Sequence, residues 1–182
     1  MILVRHGQSW FNFHFNTTRQ DPGIPDPGLT PTGRDQAAAA AEMLRPAGLA
    51  RLLVSPYRRT LETASIIAEI LDLPIAVEPL VHEMAAFSCD IGTPASELGR
   101  LWPDLDFSHL EETWWPAREE TSHLEARCRR FAARAEEIAD RHAVGVITHW
   151  GFIRGLTGLT VPNGAIVRLP AGAAPELLHP AT

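Results

Sequence analysis

Apolar residues along this chain fall into a few short unbroken runs, separated by longer stretches with helical spacing, and that alternation predicts the fold. Ile2-Leu3-Val4, Leu52-Leu53-Val54, Ile75-Ala76-Val77 and Val144-Gly145-Val146-Ile147 are short and uniformly apolar, as expected of strands buried on both faces of a parallel sheet. A last strand is expected at Ala165 to Leu169. Between the runs, an Ala-rich helix spans Arg34 to Arg45, with Thr30 as N-cap and Pro31 preset for its first turn. A second helix starts at Ser55-Pro56 and carries Leu61, Ala64, Ile67, Ala68 and Leu71 along one face. A third, from about Arg118 to Arg141, repeats Leu124, Cys128, Phe131, Ala135 and Ile138 at intervals of three and four. A short fourth follows Thr148-His149-Trp150-Gly151 and ends near Leu159.

Three stretches lack this order. Residues 8 to 32 read as a long loop, because Pro22, Gly23, Pro25, Pro27 and Gly28 oppose regular structure. Its aromatic cluster, Trp10, Phe11, Phe13 and Phe15, fits either a packed loop beside a site or a plain hydrophobic anchor. From Val81 to about Ala117, Pro94, Pro103 and Pro116 interrupt the pattern among Trp102, Trp114 and Trp115. Residues 84–117 are therefore expected to be an insertion capping one end of the sheet, and residues 170–182 a loose tail. Strand alternating with helix makes residues 1–182 a single α/β domain, a three-layer α/β/α sandwich with a mostly parallel central sheet.

Composition narrows the function. With 182 residues, 45% of them hydrophobic, the chain can bury one sizeable core. Its net charge is −6 and its basic residues form no stripe, which argues against a nucleic-acid partner or an anionic membrane surface. No apolar stretch approaches the length of a membrane span. Cys89 and Cys128 make neither a disulfide framework nor metal-ligand spacing. A strand beginning at Ile2 leaves no room for a signal peptide, so a reducing, cytoplasmic setting is expected.

The chemistry gathers where strands end. The first strand stops on Arg5-His6, with Gly7 to turn the backbone; the second stops at Ser55-Pro56 and the fourth at His149. If these strands are parallel, all three ends share the edge where α/β sheets bind ligands. Arg58 and Arg59 join them from the first turn of the second helix, whose amino end favours an anion. Two histidines and at least two arginines converging in an acidic chain need a compensating anion, and a phosphoryl group supplies one. Arginine grips phosphate through a rigid fork, and a neutral imidazole is a competent nucleophile.

These segments resemble the histidine phosphatase superfamily, the phosphoglycerate mutase-like group, and the resemblance covers most of the chain in order. Arg5-His6-Gly7-Gln8-Ser9 followed by Asn12 is similar to the family's signature and its phosphate-contacting Asn. Leu29-Thr30 with Gly33 and Gln36-Ala37 resembles its second element. Ser55-Pro56-Tyr57-Arg58-Arg59-Thr60, then Thr63-Ala64, resembles the segment supplying a second phosphate-binding arginine, here Arg59, with Arg58 facing solvent. Val146-Ile147-Thr148-His149 is similar to the strand that delivers the second active-site histidine. The resemblance implies that His6 forms a phosphohistidine. It further implies that Arg5, Asn12, Arg59 and His149 bind the phosphoryl oxygens and that no metal or other cofactor is required. It also implies Glu83, just after the third strand, as proton donor with a raised pKa, and His82 stands in reserve.

Beyond Glu83 the chain departs from the family's glycine and tryptophan pattern, with Met84-Ala85-Ala86-Phe87-Ser88-Cys89-Asp90. Trp150 stands where glycine is usual and is expected to narrow the site. The region over the sheet offers Arg100 and Arg118 against Asp90, Asp104, Asp106, Glu111, Glu112, Glu119 and Glu120. A mutase needs extra cations to hold a second acidic group. The expected function is therefore hydrolysis of a small phosphorylated metabolite, with mutase-type transfer or a silent phospho-ligand module as alternatives.

Overall fold

A computed structural model describes residues 1–179. In chain order its elements are β1 (Ile2–Arg5), α1 (Trp10–Thr18), α2 (Pro31–Leu44), β2 (Arg51–Val54), α3 (Arg58–Leu71), β3 (Ile75–Val77), α4 (Ala95–Leu101), α5 (Thr121–Glu137), β4 (Val144–Thr148), α6 (Trp150–Thr157), β5 (Ile166–Arg168) and β6 (Glu176–His179). The strands form one sheet in the order β3-β2-β4-β1-β5-β6. β3, β2, β4 and β1 run parallel, whereas β5 is antiparallel to both of its neighbours.

Side-chain alternation along the strands divides the core between the two faces of the sheet. Met1, Leu3, Val144 and Val146 pack with Leu124 and Phe131 of α5 and with Phe152 and Ile153 of α6. Ile2, Val4, Leu52, Val54 and Ile147 pack with Ala40 and Leu44 of α2 and with Leu61 and Ile67 of α3. The result is the expected three layers. β4 is buried along its whole length, whereas β3 is only half-buried because it ends the sheet and lacks one neighbour. Among the described residues no helix is long and apolar enough to cross a membrane.

Four local expectations are corrected. Residues 8 to 32 are not all loop, since α1 occupies Trp10–Thr18. It starts on a capping box: the Ser9 hydroxyl accepts from the Asn12 N–H (3.3 Å), and Asn12 Oδ1 accepts from the Ser9 N–H (3.1 Å). It stops at Arg19, whose left-handed φ of 56° breaks the helical path. The second helix begins at Arg58, not at Ser55-Pro56. Its cap residue Tyr57 makes no side-chain capping bond, and Asp26 Oδ1 instead accepts from the Arg58 N–H at 2.9 Å. α5 is shorter at both ends than Arg118 to Arg141. The tail is not loose as far as it is described: Glu176–His179 adds an edge strand antiparallel to β5, while residues 180–182 lie outside the described residues.

The link between the exit of β1 and the start of α2 is a backbone contact that tolerates no side chain. A Cβ on Gly7 would lie 2.1 Å from the Gly33 carbonyl oxygen, and one on Gly33 would lie 2.1 Å from the Gln8 carbonyl oxygen. The same junction is tied by the Thr30 N–H, which donates to the Gln8 carbonyl at 2.9 Å. Gly33→Ala therefore has to push two backbone segments apart, and a loss of about 2–3 kcal/mol in urea-unfolding stability is expected. A stability within 0.5 kcal/mol of the parent, roughly the range of surface changes, would show that the junction is not close-packed.

Candidate active site

His6 leaves β1 straight into the sheet's carboxyl edge and is buried. Its Nδ1 lies 2.7 Å from the Gly7 carbonyl oxygen. A carbonyl only accepts, so the ring proton sits on Nδ1 and the lone pair on Nε2. Burial, with the charges of Arg59 and Arg5, holds the His6 pKa well below the ordinary imidazole value and keeps the ring neutral. The turn that presents it is braced from several directions. The Gly7 N–H donates to Thr63 Oγ1 (3.2 Å), the Gly164 N–H reaches the Arg5 and His6 carbonyls, and Asn163 Nδ2 donates to the His6 carbonyl (3.1 Å).

Strand register brings the second histidine alongside. Arg5 stands opposite Thr148 in the β1–β4 pairing, so the next residues, His6 and His149, are neighbours, with ring centroids 5.2 Å apart. Val54 stands opposite Ile147 in the β2–β4 pairing, which places Ser55 at the same level. Arg59 Nε donates to His149 Nδ1 (3.3 Å). A guanidinium only donates, so the His149 proton must lie on Nε2, which donates to the Ser55 hydroxyl at 2.7 Å. Burial and then Arg59 hold the His149 pKa well below its usual value. Ser55 is thus not a helix cap but the acceptor for the His149 Nε2 proton, whose position Arg59 sets.

Arg59 is buried over the Tyr57 ring, 4.3 Å from its centroid. Its NH1 donates to the Cys89 carbonyl (2.7 Å) and its NH2 to Asp90 Oδ1 (3.1 Å). Three of five N–H groups are thereby used, which leaves two for a ligand. Arg5 donates from NH1 to the Val161 carbonyl (2.7 Å), and its buried Nε has no protein partner. Burial lowers the Arg5 pKa to about 10, still charged at neutral pH. Arg58, as expected, turns outward and pairs with Glu62 at 3.6 Å. Asn12 reaches the site indirectly. Its Oδ1 accepts from Ser9 and from Asn163 Nδ2 (3.1 Å), and Asn163 also grips His6, so the Asn12 Nδ2 is the end left over.

Glu83 is drawn to the same edge by backbone donors. Its Oε1 accepts from the N–H groups of Met84 (2.8 Å) and Gly151 (2.9 Å), the latter in the first turn of α6. A Cβ on Gly151 would lie 2.3 Å from that oxygen, so a side chain there would have to displace the carboxylate. Burial, assisted by the charge of Asp90, raises the Glu83 pKa against the opposing pull of Arg59 and Arg5. His82 is a poor reserve donor. Its Nδ1 proton is committed to the Glu83 carbonyl (2.6 Å), and burial lowers its pKa to about 4, so the ring has no second proton at neutral pH. The backbone carrying both is clamped by Arg127 of α5. Its NH1 donates to the Leu80 and His82 carbonyls at 2.9 and 2.8 Å, while the rest of its guanidinium pairs with buried Glu119.

The segment between β3 and α5 is tied to Arg59 and to α1. Phe87 packs against Phe11 and Phe15 of α1, with centroids 5.5 and 5.3 Å apart, and Asp21 accepts from the Ser88 N–H (2.8 Å). Asp26 ties Thr93 to the start of α3. The tryptophans pack: Trp102 and Trp114 lie against the α2–α3 side of the core, and Trp114 donates to the Thr93 carbonyl at 2.9 Å. Trp150 lies beneath Arg154 of its own helix, 5.2 Å from the guanidinium carbon.

Sequence reasoning alone missed Ser55, Asp90, Glu119, Arg127 and Asn163. Asn163, in Val161-Pro162-Asn163-Gly164, carried a turn signature; Ser55 was placed at the right edge but without a role, and nothing in the sequence paired the other three with the site.

Both the sequence and the fold have likenesses among known proteins. Residues 1–171 match the profile of the histidine phosphatase superfamily (branch 1). Over 181 residues the chain is 28% identical to a protein named "Probable phosphatase" in Schizosaccharomyces pombe, covering 93% of this chain and 82% of that protein. It is 34% identical over 84 residues to "Probable phosphoglycerate mutase GpmB" of Yersinia enterocolitica, a match that covers 46% of this chain and only 37% of that relative. Its fold superposes on that of a mycobacterial glucosyl-3-phosphoglycerate phosphatase with a TM-score of 0.68 at 23% identity, covering 98% and 97% of the two chains. With the family profile matched over 171 of its 182 residues, this chain belongs to the histidine phosphatase superfamily.

Proposed function

We propose that the protein is a phosphomonoester hydrolase that works through a phosphohistidine on His6 and acts on a small phosphorylated metabolite. The observation that carries this reading is the Gly7 carbonyl on His6 Nδ1, which leaves the Nε2 lone pair as the nucleophile. Nε2 attacks phosphorus in line as the ester P–O bond breaks. The positive charge that grows on the ring is met by the carbonyl through Nδ1–H. Arg5 through its unpartnered Nε, Arg59 through its two remaining N–H groups and Asn12 through Nδ2 hold the equatorial oxygens. His149 aims the Arg59 Nε, and it gives its own Nε2–H to an oxygen only when Ser55 yields it.

Glu83 protonates the leaving alkoxide, for which a raised pKa suits it. As a carboxylate it then deprotonates the water that attacks the phosphohistidine, which releases inorganic phosphate and restores His6. Residues 84–117 act as the cap. Hydrolysis is favoured over transfer between phosphoglycerates because the cap offers no second cationic pocket: Arg100 is exposed, and Arg118 is 84% exposed beside Glu120. A silent phospho-ligand module is disfavoured because the nucleophile and its charged neighbours are all present. The net charge of −6 argues against nucleic acid as partner, and two free, buried cysteines suit a reducing cytoplasm.

His6→Ala is expected to abolish turnover of an aryl phosphate and the acid-labile phosphoenzyme trapped by rapid quench; a phosphoenzyme that survives the substitution would sink the mechanism. Glu83→Gln is expected to slow alkyl phosphates by about 10²–10⁴-fold. It should slow p-nitrophenyl phosphate far less, since that leaving group needs no proton. The pH profile has a definite sign. Glu83 must be protonated, so kcat for an alkyl ester falls as pH rises through its elevated pKa, and this alkaline limb disappears in Glu83→Gln. His6 stays neutral far below pH 6.5, so no acid limb at an ordinary histidine pKa is expected.

A further inference from the structure

Asp90 is a buried carboxylate that the mechanism above does not use, and it lies in the stretch where the chain leaves the family's pattern. It ends a tight turn at Ser88–Asp90 whose polar groups converge on one face of the Arg59 guanidinium. Asp90 Oδ1 accepts from Arg59 NH2 at 3.1 Å, and the Cys89 carbonyl accepts from NH1 at 2.7 Å. The other oxygen, Oδ2, accepts from the N–H groups of Ala86 and Phe87, both at 3.0 Å. The Asp90 carbonyl takes the Tyr57 hydroxyl at 2.7 Å. With both side-chain oxygens held and only 3% of its surface exposed, the carboxylate cannot swing away when a ligand arrives.

We propose that Asp90 is a built-in counter-anion of the phosphate pocket, a positioning residue that aims Arg59 and limits the pocket's net positive charge so that inorganic phosphate leaves. Two arginines with little solvent around them attract a phosphate dianion strongly, and product held too tightly slows each cycle. A carboxylate on the far side of Arg59 offsets one of those charges while leaving two of its N–H groups free. The same placement favours the protonated acid. Facing Glu83 are Asp90, which opposes its ionisation, and Arg59 and Arg5, which promote it. Around Asp90 itself stand Arg59 of α3, Tyr57 at its cap and Cys89 of its own turn, with Asp26 acting on both Arg59 and Tyr57.

This inference rests on the reading of the site as a phosphatase, but its test does not need turnover. Binding of inorganic phosphate is measured by calorimetry for the unaltered protein and for Asp90→Asn, which removes the charge at nearly constant size and keeps one acceptor oxygen for the Ala86 and Phe87 N–H groups. A counter-anion predicts tighter binding in the variant, by roughly three- to tenfold for one charge removed at close range behind Arg59. A group that only braces Arg59 predicts the opposite sign. Phosphate binding that is unchanged or weaker in Asp90→Asn overturns the proposal. Where turnover is measurable, the alkaline limb of kcat should also move to lower pH in Asp90→Asn and stay absent when Glu83→Gln is added. If Asp90→Asn does not fold, Asp90→Ser, whose hydroxyl still accepts one N–H of the turn, carries the same measurement. Failure of both neutral variants to fold assigns Asp90 to the fold alone and overturns the proposal. Failure of the unaltered protein to hydrolyse any phosphomonoester, with phosphate binding still tighter in Asp90→Asn, removes the phosphatase reading and leaves the counter-anion standing.

Discussion

The register between three parallel strands is the constraint on which the site depends. β4 lies between β1 and β2 with Thr148 opposite Arg5 and Ile147 opposite Val54. A shift of one residue in either pairing would turn every side chain of a strand to the wrong face and carry His149 away from His6 and Ser55. The register is held by the core itself, because Leu3 and Val146 serve one face of the sheet while Val4 and Ile147 serve the other. Catalytic geometry and apolar burial are therefore the same specification, enforced by side chains that never approach a ligand.

Around this frame, burial and charge are set against each other in a consistent way. The histidines are stripped of solvent next to arginines, which keeps them neutral. Partial burial and then the charge of Asp90 raise the Glu83 pKa although two arginines oppose the shift. The tautomers follow from simple donor counting. A carbonyl on His6 and a guanidinium on His149 leave each ring one possible proton position, opposite in the two residues.

Much of this was legible in the sequence because the signals were local. The buried strands are unbroken apolar runs, Thr30-Pro31 announces α2, and strand ends mark where His6, Arg59 and His149 converge. Apart from α1, the misses were non-local. α1 was hidden because its Phe11 and Phe15, four residues apart and stacked at 5.2 Å, sit in a stretch that Pro22 to Gly28 otherwise mark as loop. Ser55 followed by Pro56 has the form of a helix start, yet its hydroxyl is claimed by His149, ninety-four residues away. Arg127 and Glu119 fall in a charged helical region where a solvated face is the simpler reading. Their burial follows only from the carbonyls of Leu80 and His82 lying above them.

The departure after Glu83 is best understood through the same non-local partners. A carboxylate in the segment beyond β3 needs donors to hold it and a reason to stay protonated, and the residues that follow it directly supply only the Met84 N–H. The rest comes from elsewhere. Gly151 opens the first turn of α6 to the Glu83 oxygen, and the turn ending at Asp90 brings a fixed negative charge to the far side of Arg59. Changing the local sequence around an acid is therefore compatible with keeping the acid, provided that the helix start and the capping turn change with it. The altered stretch sets Phe87 against α1 and Asp90 against Arg59, so the contacts it changes are those beside the candidate site.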